Sequence, residues 1–139
     1  MARLKPNVEI IRRDILGTGS KVNRAFNTAL GKGVSIILDN TNYSREARAP
    51  FIKQAEEQGY KVHCVFFDIS KLLSSHMCNF RVQQGGKHIP IVARHTYYKR
   101  LDQPDHTENM IMTVVGGIIK YPDQTMVDSA YYQLYNLKE

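Results

Sequence analysis

Short β-type runs alternate with helical periodicities along this chain. That alternation restricts it to an α/β fold, a parallel sheet with flanking helices. Val8-Glu9-Ile10-Ile11 reads as a strand closed by Arg12-Arg13-Asp14. Val22, Ala25, Phe26, Ala29 and Leu30 then recur at the spacing of one helical face, with Ser20 as the expected N-cap and Gly31 or Gly33 as the left-handed cap. Val34-Ser35-Ile36-Ile37-Leu38 is an almost unbroken apolar run and predicts a strand buried on both faces. It opens into the polar stretch Asp39-Asn40-Thr41-Asn42.

The alternation continues. A helix is expected from Ser44 to Gly59, with Phe51, Ile52 and Ala55 facing inward and Pro50 confined to its first turns or kinking it. Residues 62–67 form the next β-rich run. A helix after Asp68 and Ser70 places Leu72, Leu73, His76, Met77 and Phe80 on one side, and Gln83-Gln84-Gly85-Gly86 ends it. His88-Ile89-Pro90 leads into a helical stretch with Arg94, His95, Tyr97, Tyr98, Lys99 and Arg100, and residues 112–119 read as a last strand despite two glycines. Residues 121–139 form a C-terminal tail with no assigned element.

With 139 residues, 42% apolar and 23% charged, the chain has the make-up of one soluble domain, which excludes disorder, collagen-like repeats and a disulfide scaffold. Its 19 basic and 13 acidic side chains leave a formal charge of +6, favouring phosphate-rich partners. Cys64 and Cys78 fit no zinc spacing and lie in apolar stretches, as buried thiols do. No apolar run reaches the roughly 20 residues of a membrane span, and the first residues carry no secretory signal. The expectation is an intracellular protein, nuclear or cytoplasmic, not secreted and not in a membrane.

In parallel α/β sheets ligands bind at the carboxyl ends of the strands, which singles out Arg13-Asp14 and Asp39-Asn40-Thr41-Asn42. A carboxylate at a strand end can accept a proton from a hydroxyl nucleophile; Asp14 can equally cap the turn before the helix. Asp39 suits the Mg²⁺ shell of a nucleotide site, and Asp-Asn-Thr-Asn is also a turn composition. Arg45, Arg48, Arg81, Lys87, Arg94, Lys99 and Arg100 form either a phosphate-binding rim or a solvated charged surface. His76 lies on an apolar face, where a core histidine is the simpler reading. Tyr97 and Tyr98 have the chemistry to stack on bases or to pack inward. The 139 residues contain no G-x-x-x-x-G-K-[ST] phosphate loop, and Gly17-Thr18-Gly19-Ser20-Lys21 reads as a turn that opens a helix.

Five segments, in order, resemble the kinase domain of the polynucleotide kinase family, the 5′-hydroxyl kinases joined in animals to a 3′-phosphatase. Ile11-Arg12-Arg13-Asp14-Ile15-Leu16-Gly17 is similar to a segment ending in Arg-Asp-Thr-Leu-Gly, and Leu38-Asp39-Asn40-Thr41-Asn42 to an Asp-Asn-Thr-Asn strand end. His76-Met77-Cys78-Asn79-Phe80-Arg81 resembles the lid, with Ser75 and Asn79 standing where the family's lid has arginines. Lys87-His88-Ile89-Pro90 matches a His-Ile-Pro turn, and Tyr98-Lys99-Arg100-Leu101-Asp102-Gln103-Pro104 resembles a Tyr-Arg-Lys-x-Phe-Glu-x-Pro segment.

The resemblance implies a P-loop kinase-like core without its first strand and P-loop, a kinase-like domain over residues 1–120 with an N-terminal truncation, and a tail over 121–139. It implies ATP-dependent phosphorylation of 5′-hydroxyls of DNA or RNA, with Mg²⁺, in strand-break repair. Asp14 would be the general base, with Arg13 and Arg81 stabilising the transferred phosphoryl group. Asp39, Asn40 and Thr41 would line the nucleotide and acceptor side, Asp39 nearest the metal. Arg45, Arg48, Lys87, Arg94, Lys99 and Arg100 would hold the strand. The competing expectations are an inactive nucleic-acid-binding module and a P-loop kinase of a small metabolite.

Overall fold

The computed structural model describes residues 7–116, which fall into two compact units dividing after Val62. In the first unit β1 (Val8–Arg12) is followed by a single turn, α1 (Arg13–Leu16), and then by α2 (Gly19–Lys32), β2 (Ser35–Asp39) and α3 (Arg45–Glu57). β1 and β2 pair in parallel, Ile10 opposite Ile37 and Arg12 opposite Asp39. Parallel neighbours need a crossover, and α2 supplies it.

Local chemistry sets the ends of α2. Thr18, not the expected Ser20, is its N-cap, accepting from the Lys21 N–H, and Gly33 closes it at φ 67°. Ser20 already lies one residue inside the helix, so its backbone cannot adopt the extended conformation that a cap requires. The expected face is the buried one: Val22, Phe26, Ala29 and Leu30 form the core with Ile11 and Ala55. Phe26 meets Phe51 edge to face with centroids 5.0 Å apart, a geometry worth about 0.5–1.5 kcal/mol beyond burial. The Tyr60 hydroxyl donates to the Val34 carbonyl at 3.0 Å and fixes the chain that leaves α3.

One further expectation for this unit is corrected. β2 is not buried on both faces: Ile36 and Leu38 pack on the core, whereas Ile37 is 52% exposed, as is Ile10 opposite it at 54%. The helices of this unit cover one face of its two strands. Pro50 sits at the sixth position of α3, within its first two turns as expected, and the helix continues to Glu57. The N–H that proline lacks would have gone to Glu46, and both residues are on the exposed side.

The second unit runs β3 (His63–Asp68), α4 (Lys71–Gln83), α5 (Ile91–Arg100), a 3₁₀ turn at His106–Glu108 and β4 (Ile111–Gly116), with β3 and β4 parallel. Ser70 caps α4. The buried side of α4 is centred on His76 and Cys78, while Leu72, expected inward, is 55% exposed. The crossing of α5 explains the shift. Arg94, 8% exposed, reaches from α5 into α4, and its Nη1 donates to the Ser75 carbonyl at 3.1 Å and to Asn79 Oδ1 at 3.4 Å. The Tyr98 hydroxyl donates to the Ile69 carbonyl at 2.9 Å. Asp105 and Glu108 form a capping box. The strand expected over 112–119 is seen to Gly116; its remainder and the tail over 121–139 lie outside the described residues. Among the described residues no helix is long and apolar enough to cross a membrane.

Candidate active site

The strand-end residues of the first unit come together because β1 and β2 are parallel and in register. Both strands end at the same level, Arg12 opposite Asp39, and Arg12 Nε lies 3.7 Å from Asp39 Oδ2. With both side chains more than half exposed, the pair contributes about 0–1 kcal/mol. Its consequence is placement, since it holds Asp39 beside the end of β1. One residue on, Arg13 and Asp14 start α1. Asp14 is exposed and is not an N-cap residue: Arg12 is the N-cap of α1 without a side-chain bond, and Thr18 caps α2. Its carboxylate is accessible just after the end of β1.

Arg13 is half-buried, with Nη1 fully enclosed and lacking a hydrogen-bond partner among the described residues. That nitrogen stands 3.7 Å from where a Cβ on Gly19 would be, over the first residue of α2. The loop after β2 is equally built. Asn40 Oδ1 accepts from the Thr41 N–H at 2.8 Å, and Asn42 adopts the left-handed conformation at φ 42°. Arg48 Nη1 donates to the Asn42 carbonyl at 2.9 Å.

That last bond corrects an assignment. Arg48 is 5% exposed, so it holds the loop from beneath and presents nothing to a nucleic-acid strand. Arg45, one turn earlier, is exposed. In the second unit Arg94 is corrected for the same reason, being 8% exposed with its Nη1 engaged by α4. Arg81, Lys87, Lys99 and Arg100 are exposed, and Arg81 Nη2 donates to Cys78 Sγ at 3.4 Å. Tyr97 and Tyr98 are half-buried and pack edge to face with centroids 5.0 Å apart; Tyr98 also spends its hydroxyl on Ile69. Sequence patterning missed the buried role of Arg48. Arginine in a helix with apolar residues four and seven positions on was the available signal.

The described residues do not fit a triphosphate cradle. Thr18-Gly19-Ser20-Lys21 is closed on itself, because the Thr18 hydroxyl takes the Lys21 N–H that a phosphate oxygen would need. Among the described residues no group of three His, Cys, Asp or Glu is placed to hold a metal; Asp39 offers a single carboxylate. A groove of about 280 Å³ lined by Asn27, Leu30, Gly31, Gln54, Glu57 and Gln58 lies at the last turns of α2 and α3, away from the strand-end residues.

Parallel strands with flanking helices and polar residues at the strand ends define a parallel α/β protein, and comparison with known proteins bears on which. The AAA domain family model matches residues 16–113, more than half of the chain. The bifunctional polynucleotide phosphatase/kinase of Schizosaccharomyces pombe is 33% identical over 97 residues, 69% of this chain and 24% of that protein. A protein of Acanthamoeba polyphaga mimivirus described in the same bifunctional terms is 28% identical over 122 residues, 85% of this chain and 28% of that protein. The chain belongs to the AAA domain family of P-loop kinase-like proteins, and it is homologous to the polynucleotide phosphatase/kinases. It spans about a quarter of the length of these curated relatives.

Proposed function

We propose that this chain forms the acceptor side of an ATP-dependent polynucleotide kinase that phosphorylates 5′-hydroxyls of DNA or RNA in strand-break repair. The observation that carries this reading is Asp14, an exposed carboxylate two residues beyond the strand that lies in register with the one leading into Asp39-Asn40-Thr41-Asn42. A base so placed takes the proton from an attacking hydroxyl. In phosphoryl transfer the protein contributes mainly position and charge stabilisation, for which Arg13 and Arg81 are the candidates. ATP and Mg²⁺ enter as substrates of the reaction, with the triphosphate held by residues other than those described, and Asp39 is the carboxylate offered to the metal.

The test is label transfer from γ-labelled ATP by the chain joined to a strand and P-loop, with oligonucleotides ending in a 5′-hydroxyl or a 5′-phosphate. Transfer to the hydroxyl end alone is expected. Transfer to nucleosides in preference to oligonucleotides would place the protein among small-metabolite kinases. The self-closed turn at Thr18 favours a second reading, a nucleic-acid-binding module without kinase activity. Such a module binds 5′ ends but gains no stability from ATP, whereas a kinase with ATP at 100 times its Kd gains about 2.7 kcal/mol.

A further inference from the structure

We propose that the groove between the last turns of α2 and α3 is a docking site for an arginine side chain presented by a partner protein, a role independent of the kinase reading. Residues 27, 30 and 31 of α2 and 54, 57 and 58 at the end of α3 line it, the i, i+3, i+4 neighbours on one face of each helix. One turn earlier Phe26 packs on Phe51 and holds the two helices together. The space of about 280 Å³ thus lies between two walls whose separation is set by the core.

The groove includes a glycine that nothing else requires. Gly33 has the left-handed φ that closes α2, whereas Gly31 lies within the helix and has no positive φ. A Cβ on Gly31 would meet no atom within 4 Å, so packing does not exclude a side chain either. Glycine is the poorest helix former after proline, and a larger residue would strengthen the turn. What such a residue would take away is the open space above Gly31.

Charge decides what the space suits. Helix carboxyl ends carry partial negative charge and are stabilised by cations. The last turn of α3 has no basic residue and carries Glu56 and Glu57 instead, while Lys32, in the last turn of α2, is turned to Glu9 at 2.7 Å. Glu57 meets Lys53 at 3.9 Å with both side chains mostly exposed, a weak contact that a second cation can displace. The amides of Asn27, Gln54 and Gln58 line the same groove. A guanidinium offers five donors in a planar fork, enough for a carboxylate and amide oxygens together, whereas an ammonium is a compact and strongly hydrated point charge.

The probe is the capped pentapeptide Ala-Ala-Arg-Ala-Ala, titrated into the whole isotope-labelled chain and followed by the NMR amide signals of the groove residues. Saturable shifts there are expected, with a Kd of about 1 mM for a single charge-assisted anchor. The neutral isostere citrulline in place of arginine should abolish them, and lysine should weaken binding by about fivefold or more. Glu57→Gln should weaken it by about tenfold, the size of one lost hydrogen bond to a charged group. Gly31→Leu, whose side chain fills the space, should abolish binding while raising the melting temperature by about 2–6 °C, which separates the loss from unfolding. Wild-type affinity in Gly31→Leu overturns the proposal, as does equal affinity for the lysine or citrulline peptide, or the absence of groove shifts at about 20 mM arginine peptide. Should Gly31→Leu not fold, Glu57→Gln and the three peptides still decide, because each reads the charge of the groove in a chain of unaltered shape.

Discussion

The Gly86 N–H donates to the Arg81 carbonyl at 2.7 Å, and a Cβ placed on Gly86 would stand 2.7 Å from that same oxygen. Only a residue without a side chain can close the end of α4 in this way, and the closure sits on the residue whose guanidinium is the candidate for charge stabilisation. Since the obstructing atoms are backbone, no rotamer change relieves the contact. Gly86→Ala is therefore expected to cost about 1–3 kcal/mol, the range of overpacking, seen as a lower urea midpoint with unchanged m-value. A midpoint within error of wild type would mean that the turn opens without penalty.

His76 makes stability depend on pH. It is 3% exposed, and burial lowers its pKa below the ordinary 6.5, because the imidazolium loses its hydration. The native ring stays neutral where the unfolded chain takes up a proton. Its contribution is therefore whole above pH 6.5 and is lost as pH falls from there through the lowered native pKa. The unfolding free energy should decline between pH 7 and 5 with a slope of at most about 1.4 kcal/mol per pH unit from this group. In His76→Gln that part of the slope should disappear; superimposable pH profiles for the two proteins would contradict the assignment.

The helices were legible because their signals are local. The buried stripe of α2 and the caps Ser44 and Ser70 follow from spacing and side-chain chemistry. Burial across elements was not. An apolar run such as Ile36-Ile37-Leu38 does not disclose that one of its faces lacks a covering helix in its own unit. Nor does arginine disclose its partner, since Arg48 and Arg94 differ from Arg45 and Arg100 only in which backbone carbonyls lie within reach. The site was half legible. Strand ends identified Asp14 and Asp39-Asn40-Thr41-Asn42, but not that Arg48 holds the Asn42 carbonyl from beneath.

Asp14 offers the most direct test of the chemistry. Exposed and not an N-cap residue, it can be replaced by the isosteric asparagine with a stability change within about 0.5 kcal/mol, as for surface positions generally. Loss of a general base costs about 10²–10⁴ in rate. Asp14→Asn in the P-loop-bearing chain should lower kcat by that factor while oligonucleotide affinity is kept. Unchanged kcat would remove Asp14 from the reaction.

The basic side chains separate into two kinds that salt distinguishes. Lys87, Lys99 and Arg100 are exposed, and a residue of this kind that neutralises a phosphate releases a counterion on binding. Each such lysine replaced by alanine should flatten the slope of log K against log salt by about 0.7 for a single-stranded oligonucleotide. Arg94 meets the Ser75 carbonyl and Asn79 instead of solvent. Arg94→Ala should leave the salt slope unaltered and lower stability by about 1–3 kcal/mol, because removing the buried donor strands its acceptors. Fluorescence titrations from 50 to 200 mM salt, with a denaturation curve for each variant, give both quantities. A reduced slope in Arg94→Ala at full stability would return Arg94 to the binding surface.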